Sequence, residues 1–283
     1  MRRIFAALVC LAAGAVAHPA AQSSPAPPDT STKAVLSAAR RYVAAYEDAF
    51  RFLVADEDYR QSRFDAARAA VETRAIRGEL FLTYLSGDDA WMAVHDVAEV
   101  DGSPVEDRED LRALLQRGEA LPGVAKRLAE RNARFNLGGI TRNFNEPTLA
   151  LAVLSARRRS SFSFDRAAIE RTPDATLVRL TFRERDRPTI VRSVTGAPAF
   201  SHGELVVEAG TGRIRRTTFE LTDGTVAARL ETIYAWNDRL DLWLPETFNE
   251  RYGASRKGAD EFIACQARYT NYRRFDVVGR IIK

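Results

Sequence analysis

The stretch Gly203–Phe275 limits the possible folds most, because strand-like runs alternate there with closely spaced turn signals. The turn signals are Gly210-Thr211-Gly212, Asp223-Gly224, Asn237-Asp238 and the segment from Gly253 to Gly258. Consecutive runs joined this tightly predict an up-and-down antiparallel β-meander. Even positions from Val226 to Trp236 carry Val226, Ala228, Leu230, Thr232, Tyr234 and Trp236. Odd positions carry Ala227, Arg229 and Glu231, with Ile233 the exception. Side chains alternate faces along a strand, so one side of this sheet is covered and the other is wet. The preceding run breaks phase: Ile214 is even, while Phe219 and Leu221 are odd. A β-bulge near Arg216-Thr217 restores the register, because one extra residue flips every later side chain. In the last run, Ile263, Cys265, Ala267 and Tyr269 share one face. Pro245 has no amide hydrogen to give a ladder, so it marks the start or the edge of a strand.

The order "GELVVEAGTGRI", "YAWNDRLDLWLPETFNERY", "ARYTNYRRF" resembles the bacterial lipoprotein-carrier group, the periplasmic LolA/LolB/RseB-like half-barrels. It also resembles many uncharacterised secreted bacterial proteins with such an ending. The resemblance covers about the last quarter of the chain. It implies an α+β fold: a strongly curved antiparallel β-sheet, or half-barrel, holding helices in its concavity; the long N-terminal helix and the helical insertion read from the residues below are expected to pack against it. It also implies an apolar ligand, a lipid or a lipidated protein. The carriers' lipid-binding residues have no position-by-position match here, and the segment from about residue 105 to 156 has no counterpart in a minimal carrier.

Residues 1–17 read as a secretory signal. Arg2-Arg3 begins it, Ile4–Val16 is apolar, and Ala15-Val16-Ala17 fits a small-x-small cleavage site. The chain is therefore expected in the periplasm or outside the cell. Without Arg2 and Arg3, the 42 basic residues fall to 40 against 38 acidic ones, too even a balance for a nucleic-acid partner. Cys10 would leave with the signal, so Cys265 has no internal disulfide partner, and its apolar strand face predicts a buried thiol. Residues 18–32 are rich in Pro, Ser, Ala and Gln and read as a disordered lead-in. The remainder, 33–283, is expected to form one domain with its helical insertion at about 105–156.

Within that domain, Ser31 or Thr32 caps a helix expected from Lys33 to Asp56. Its apolar stripe is Val35, Ala39, Tyr42, Val43, Tyr46, Phe50, Leu53 and Val54. A hairpin follows, Asp58–Phe64 with Ala69–Leu85, where Phe81 and Leu85 oppose Leu80 and Leu82 and imply cover on both faces. Trp91–Val100 continues as a strand, Asp101-Gly102 is a hairpin turn, and Val105 starts the return. Leu111, Leu114 and Leu115 mark a short helix. Pro122-Gly123 opens a second, burying Val124 and Leu128, and Gly138-Gly139 ends it. Thr148–Ser155 is a third short helix. Strands resume at Ser161–Phe164, Thr176–Glu184 and Pro188–Val194.

No Gly-x-Ser-x-Gly elbow, phosphate loop or dinucleotide fingerprint occurs, so no enzymatic role, cofactor or metal is expected. Leu230, Tyr234, Trp236, Phe248 and Tyr252 (with Trp243 beside them) either line an apolar pocket or fill the core between sheet and helix. Arg142, Asn143 and Asn145 belong to a polar cluster that either binds a head group or a protein partner, or merely caps helix ends. The arginine runs at 157–159, 215–216 and 273–274 read as solvated strand edges, or as contacts to anionic lipid, a peripheral membrane contact, or to an acidic partner. Asp56-Glu57 and Asp88-Asp89 read as solvated turns. His95-Asp96 and His202 with Glu204 are the histidine–carboxylate neighbourhoods, too few in ligands for zinc. The reading from sequence is an exported, non-enzymatic envelope protein that binds an apolar ligand, or an interaction or sensory module of the same fold.

Overall fold

A computed structural model describes residues 27–50, 52–138, 145–193, 195–223, 226–254 and 261–275. The signal segment 1–17, the Asp223-Gly224 and Gly253–Gly258 turns, Arg142 and Asn143 fall wholly or partly outside them. Helix α1 (Thr32–Ala49) begins at Ser31, whose hydroxyl accepts the Ala34 amide at 3.3 Å. It buries Val35, Ala38, Ala39, Val43 and Tyr46, the 3.6-residue stripe that the sequence shows. It does not run to Asp56. The Phe50 amide makes the last helical bond, to Tyr46 O, and Phe52 turns the chain at φ 53°. Leu53 and Val54 open strand β1 (Leu53–Phe64) instead. β1 pairs on one side with β2 (Ala70–Leu85) and on the other with the last strand, so two ladders outweigh helical continuation there.

Strand β3 (Ala90–Val100) follows β2. The Asp101-Gly102 turn, both residues at positive φ, then leads into the two-residue β4 (Ser103–Pro104), so the return strand ends before Val105. Helices α2 (Leu111–Gln116) and α3 (Leu121–Asn132) come next, with Pro122 in the first turn of α3. The expected third helix is a 3-10 segment, Leu149–Leu154. β5 (Phe162–Arg171) is longer than its apolar start suggests, and β6 (Thr176–Glu184) lies where expected. Of Pro188–Val194, only β7 (Val191–Arg192) is strand, paired with β8 (Pro198–Ala199). The meander follows as β9 (Ser201–Glu208), β10 (Ile214–Asp223), β11 (Val226–Asn237), β12 (Leu242–Ala254) and β13 (Phe262–Arg274).

Eleven strands form one antiparallel sheet in the order β4-β3-β2-β1-β13-β12-β11-β10-β9-β6-β5, an open sheet with β4 and β5 at its edges. The β9–β10 register shifts between Ile214 and Arg216, one residue from the expected bulge. Pro245 sits at a second shift opposite Tyr234, outside the part of β12 that pairs with β13. The inner face carries the main core. There α1 and the 3-10 segment pack on residues such as Leu180, Leu205, Phe219, Leu230 and Ala267. Cys265 is buried on this face. The tip of β1–β3 is covered on its outer face as well: Val54, Phe81 and Val94 meet Leu111, Leu114, Val124 and Leu128 of α2 and α3. Asp96 joins strand to helix there, accepting from Arg108 Nε at 2.9 Å, Arg108 Nη2 at 3.0 Å and the Leu111 amide at 3.0 Å.

Candidate functional site

Beyond β4, which reaches only the far end of β3, most of that edge of β3 has no strand partner among the described residues, and α3 packs against β3. Groups from the helical segment take up the edge's hydrogen-bonding capacity. The Val105 amide donates to Ala98 O at 2.9 Å, and Asn132 Nδ2 donates to His95 O at 2.8 Å. Glu146 accepts from the Ala93 amide. Between this edge and α3 lies a cavity of about 330 Å³. Ile76, Met92, Val94, Val97, Ala125 and Ala129 supply its apolar wall; Glu57, Tyr59, His95, Asn132, Asn145 and Glu146 are its main polar lining.

The polar groups belong to one network that crosses the sheet. Leu53, Ala55, Glu57, Tyr59 and Gln61 share the inner face of β1, so the strand's period of two carries Glu57 inward with its apolar neighbours. His95 Nδ1 lies 2.8 Å from Glu57 Oε2, and Asn145 Nδ2 lies 3.4 Å from His95 Nε2. From β12, Glu250 accepts the Tyr59 hydroxyl at 2.9 Å and also the Tyr252 hydroxyl. Glu57 Oε1 and the Tyr269 hydroxyl are both buried, and Tyr269 interacts with the Glu57 carboxyl group. Burial pushes His95 down, but the charge and hydrogen bond of Glu57, with Glu250 adding, lift its pKa to about 9. Burial pushes Glu146 up to about 8, against the pull of His95 and the Ala93 amide. Burial pushes Tyr269 well above its ordinary range, and Glu57 adds to it.

This convergence overturns the reading of Glu57 as part of a solvated turn, since its side chain is only 4% exposed. The inward period of β1 is the signal that locates it. His95 is likewise not isolated: carboxylates distant in sequence surround it because β1, β12 and β13 are neighbours in the sheet. Leu230, Tyr234, Phe248 and Tyr252 lie in the main core, and Tyr252 reaches the network through Glu250. Trp236 is 40% exposed and faces Trp243 across the β11–β12 hairpin. None of these lines the cavity under α3, whereas Asn145 does. Arg215 and Arg273 are not solvated edge residues: Arg215 stacks on Trp243 at 3.7 Å, and Arg273 pairs with Asp56 and Glu79.

Among the described residues, no group of three or more His, Cys, Asp or Glu could hold a metal, and no helix is long and apolar enough to cross a membrane. No Ser, Thr or Cys among the described residues lines the cavity.

No family model matches the chain, and no curated protein matches it. Among solved structures the chain is similar to a domain described as an outer membrane lipoprotein-sorting protein from Vibrio parahaemolyticus. The identity is 12% and the TM-score 0.44, over 84% of this chain and 91% of that one. It is also similar to a DUF1329 family protein from Desulfovibrio piger, at 10% identity and TM-score 0.40, over 86% and 92%.

Proposed function

We propose that this chain is an exported, non-enzymatic envelope protein that binds an apolar ligand, a lipid or the lipid of a lipidated protein, in the cavity beneath α3. The observation that carries this reading is the cavity itself. At about 330 Å³ it falls within the size range of small-molecule sites, with apolar walls and a few convergent polar groups. Its lining comes from both faces of the sheet at the β3 edge: Tyr59, Ile76 and Val97 belong to the inner face, and Met92 and Val94 to the outer one. Curvature of half-barrel type is supported by α1. Its Arg40 lies over Phe164 of β5, while its Phe50 meets Trp91 of β3 edge-on. Those strands are nine places apart, about 40 Å in a flat sheet, yet Arg40 and Phe50 are about 15 Å apart along the helix. The non-enzymatic reading is supported by His95: its Nε2 faces Asn145 rather than a hydroxyl or thiol nucleophile.

In this reading residues 1–17 are the export signal, 18–32 the lead-in and 33–283 one domain. The helical insertion at about 105–156 roofs the cavity. The test is native mass spectrometry of protein exported through its own signal, followed by solvent extraction. A stoichiometric lipid or acyl chain that is lost in Ala129→Phe, which fills the cavity from α3, supports the reading. Protein that is bare in both forms refutes it and favours an interaction module.

A further inference from the structure

Helix α1 has a second face beside its buried stripe. Arg40, Val43, Ala44 and Glu47 recur there at helical spacing and line a cavity of about 320 Å³. The chain from Leu154 to Arg159 lines it as well, and so do Tyr84 and Asp89 of the β2–β3 hairpin. This cavity shares no lining residue with the one beneath α3.

The arginine run 157–159 divides here. The Ser155 hydroxyl anchors its start: it donates to Asp89, at 2.7 and 2.9 Å from the two carboxylate oxygens, and accepts the Arg157 amide at 3.2 Å. The short 3-10 turn Ala156–Arg158 then sends the Arg158 side chain to the Pro188 carbonyl at 3.2 Å and leaves Arg157 and Arg159 to the cavity. Arg40 meets them from α1. Its guanidinium lies over Phe164, 5.6 Å from the ring centre, and its Nε is buried without a hydrogen bond. Burial and the charge of Arg159 both lower the pKa of Arg40, and no carboxylate offsets them. Among the described residues no carboxylate pairs with Arg40, Arg157 or Arg159. Like charges held together partly out of water repel, so these groups lack a counter-ion.

The acids of the cavity do not supply one. Asp89 accepts the Tyr84 hydroxyl at 2.5 Å besides that of Ser155. Glu47 is pushed up to about 7 by burial and by the charge of Asp89, so about half of it is neutral at pH 7. Asp48 is exposed, where water screens its charge.

We propose that the cavity between α1 and the 3-10 turn binds a phosphate group, free or as the monoester head of a lipid, between Arg40 and Arg159 with Arg157 beside them. One guanidinium suffices for a planar carboxylate, held by two parallel hydrogen bonds. Guanidinium groups that converge from a helix and a turn suit a tetrahedral anion with oxygens on several sides.

The experiment is calorimetric titration of the full chain at pH 7 and low salt with inorganic phosphate, sulfate, acetate and dihexanoyl phosphatidic acid. Phosphate and sulfate are expected to bind about tenfold or more tightly than acetate, and Arg40→Gln and Arg159→Gln are each expected to lower their affinity about tenfold. If Arg40→Gln fails to fold, Arg159→Gln carries the test, because that side chain is exposed. Phosphatidic acid that binds more tightly than phosphate, and loses the same factor in Arg159→Gln, assigns the site to a lipid head; equal affinities assign it to free phosphate. Acetate binding as tightly as phosphate, affinities unchanged in Arg159→Gln, or no binding of any probe up to about 10 mM overturns the proposal. None of these outcomes bears on the cavity beneath α3.

Discussion

His95 makes the stability of this protein depend on pH in an uncommon direction. Its folded pKa of about 9 lies above its ordinary 6.5, so the folded state binds the proton more tightly than the unfolded state. The stabilisation is complete below pH 6.5 and is lost as the pH rises through 9. A shift of about 2.5 units at 1.36 kcal/mol each gives about 3 kcal/mol. With the side chain 22% exposed, water reduces that to about 2–3 kcal/mol. Glu146, raised to about 8, acts in the same sense: the folded protein keeps a proton that the unfolded chain releases near 4.5, so stability falls between those values. Asp56 and Glu119 are lowered, so their contributions are already complete above about pH 5 and are flat across this window. The groups facing His95 are Glu57 from β1, Glu250 from β12, and Asn145 and Glu146 from the segment before Pro147. The assay is urea denaturation of the wild type and His95→Gln at pH 6 and pH 9.5, followed by tryptophan fluorescence. With a slope of about 3 kcal/mol per molar urea, the wild-type midpoint is expected to fall about 1 M further than that of His95→Gln between the two pH values. Equal losses in the two proteins would refute the assignment of this proton to His95.

Further tests concern the frame of the site. Asp96→Ala removes three hydrogen bonds at the start of α2 and is expected to cost about 3–4 kcal/mol, with hydrogen exchange rising first in α2 and α3. Gly78→Ala places a Cβ 2.2 Å from Asp96 O, so β3 must move away from β2. A destabilisation of about 1–3 kcal/mol in thermal unfolding is expected. Phe50→Ala empties a fully buried site between Tyr46 and Trp91 and is expected to cost about 3–5 kcal/mol in urea denaturation.

The helix and strand repeats were legible because they are local. Val35, Ala39, Val43 and Tyr46 recur at helical spacing and do form the buried stripe of α1, and the even positions of β11 do face the core through Ala228, Leu230 and Tyr234. The end of α1 was misread for the same reason. Leu53 and Val54 continue the helical spacing, and only their pairing with β2 and β13 draws them into a strand. Asp56-Glu57 looks like a solvated turn until β1 is known to start at Leu53, and then alternation alone turns Glu57 inward.

The sequence by itself determined the antiparallel pairing of the last strands, the bulge in β10, the Ser31 cap, the Asp101-Gly102 turn and the polarity of the β11 faces, because these follow from backbone chemistry over a few neighbouring residues. The tertiary structure decided the site. Glu57 and His95 are 38 residues apart, and Tyr59 meets Glu250 across 191. Their meeting depends on the first strand lying between β2 and the last strand, an order that no local pattern encodes. Whether a buried carboxylate or imidazole is tolerated depends on which partner the sheet brings to it, and that is a property of the packed molecule.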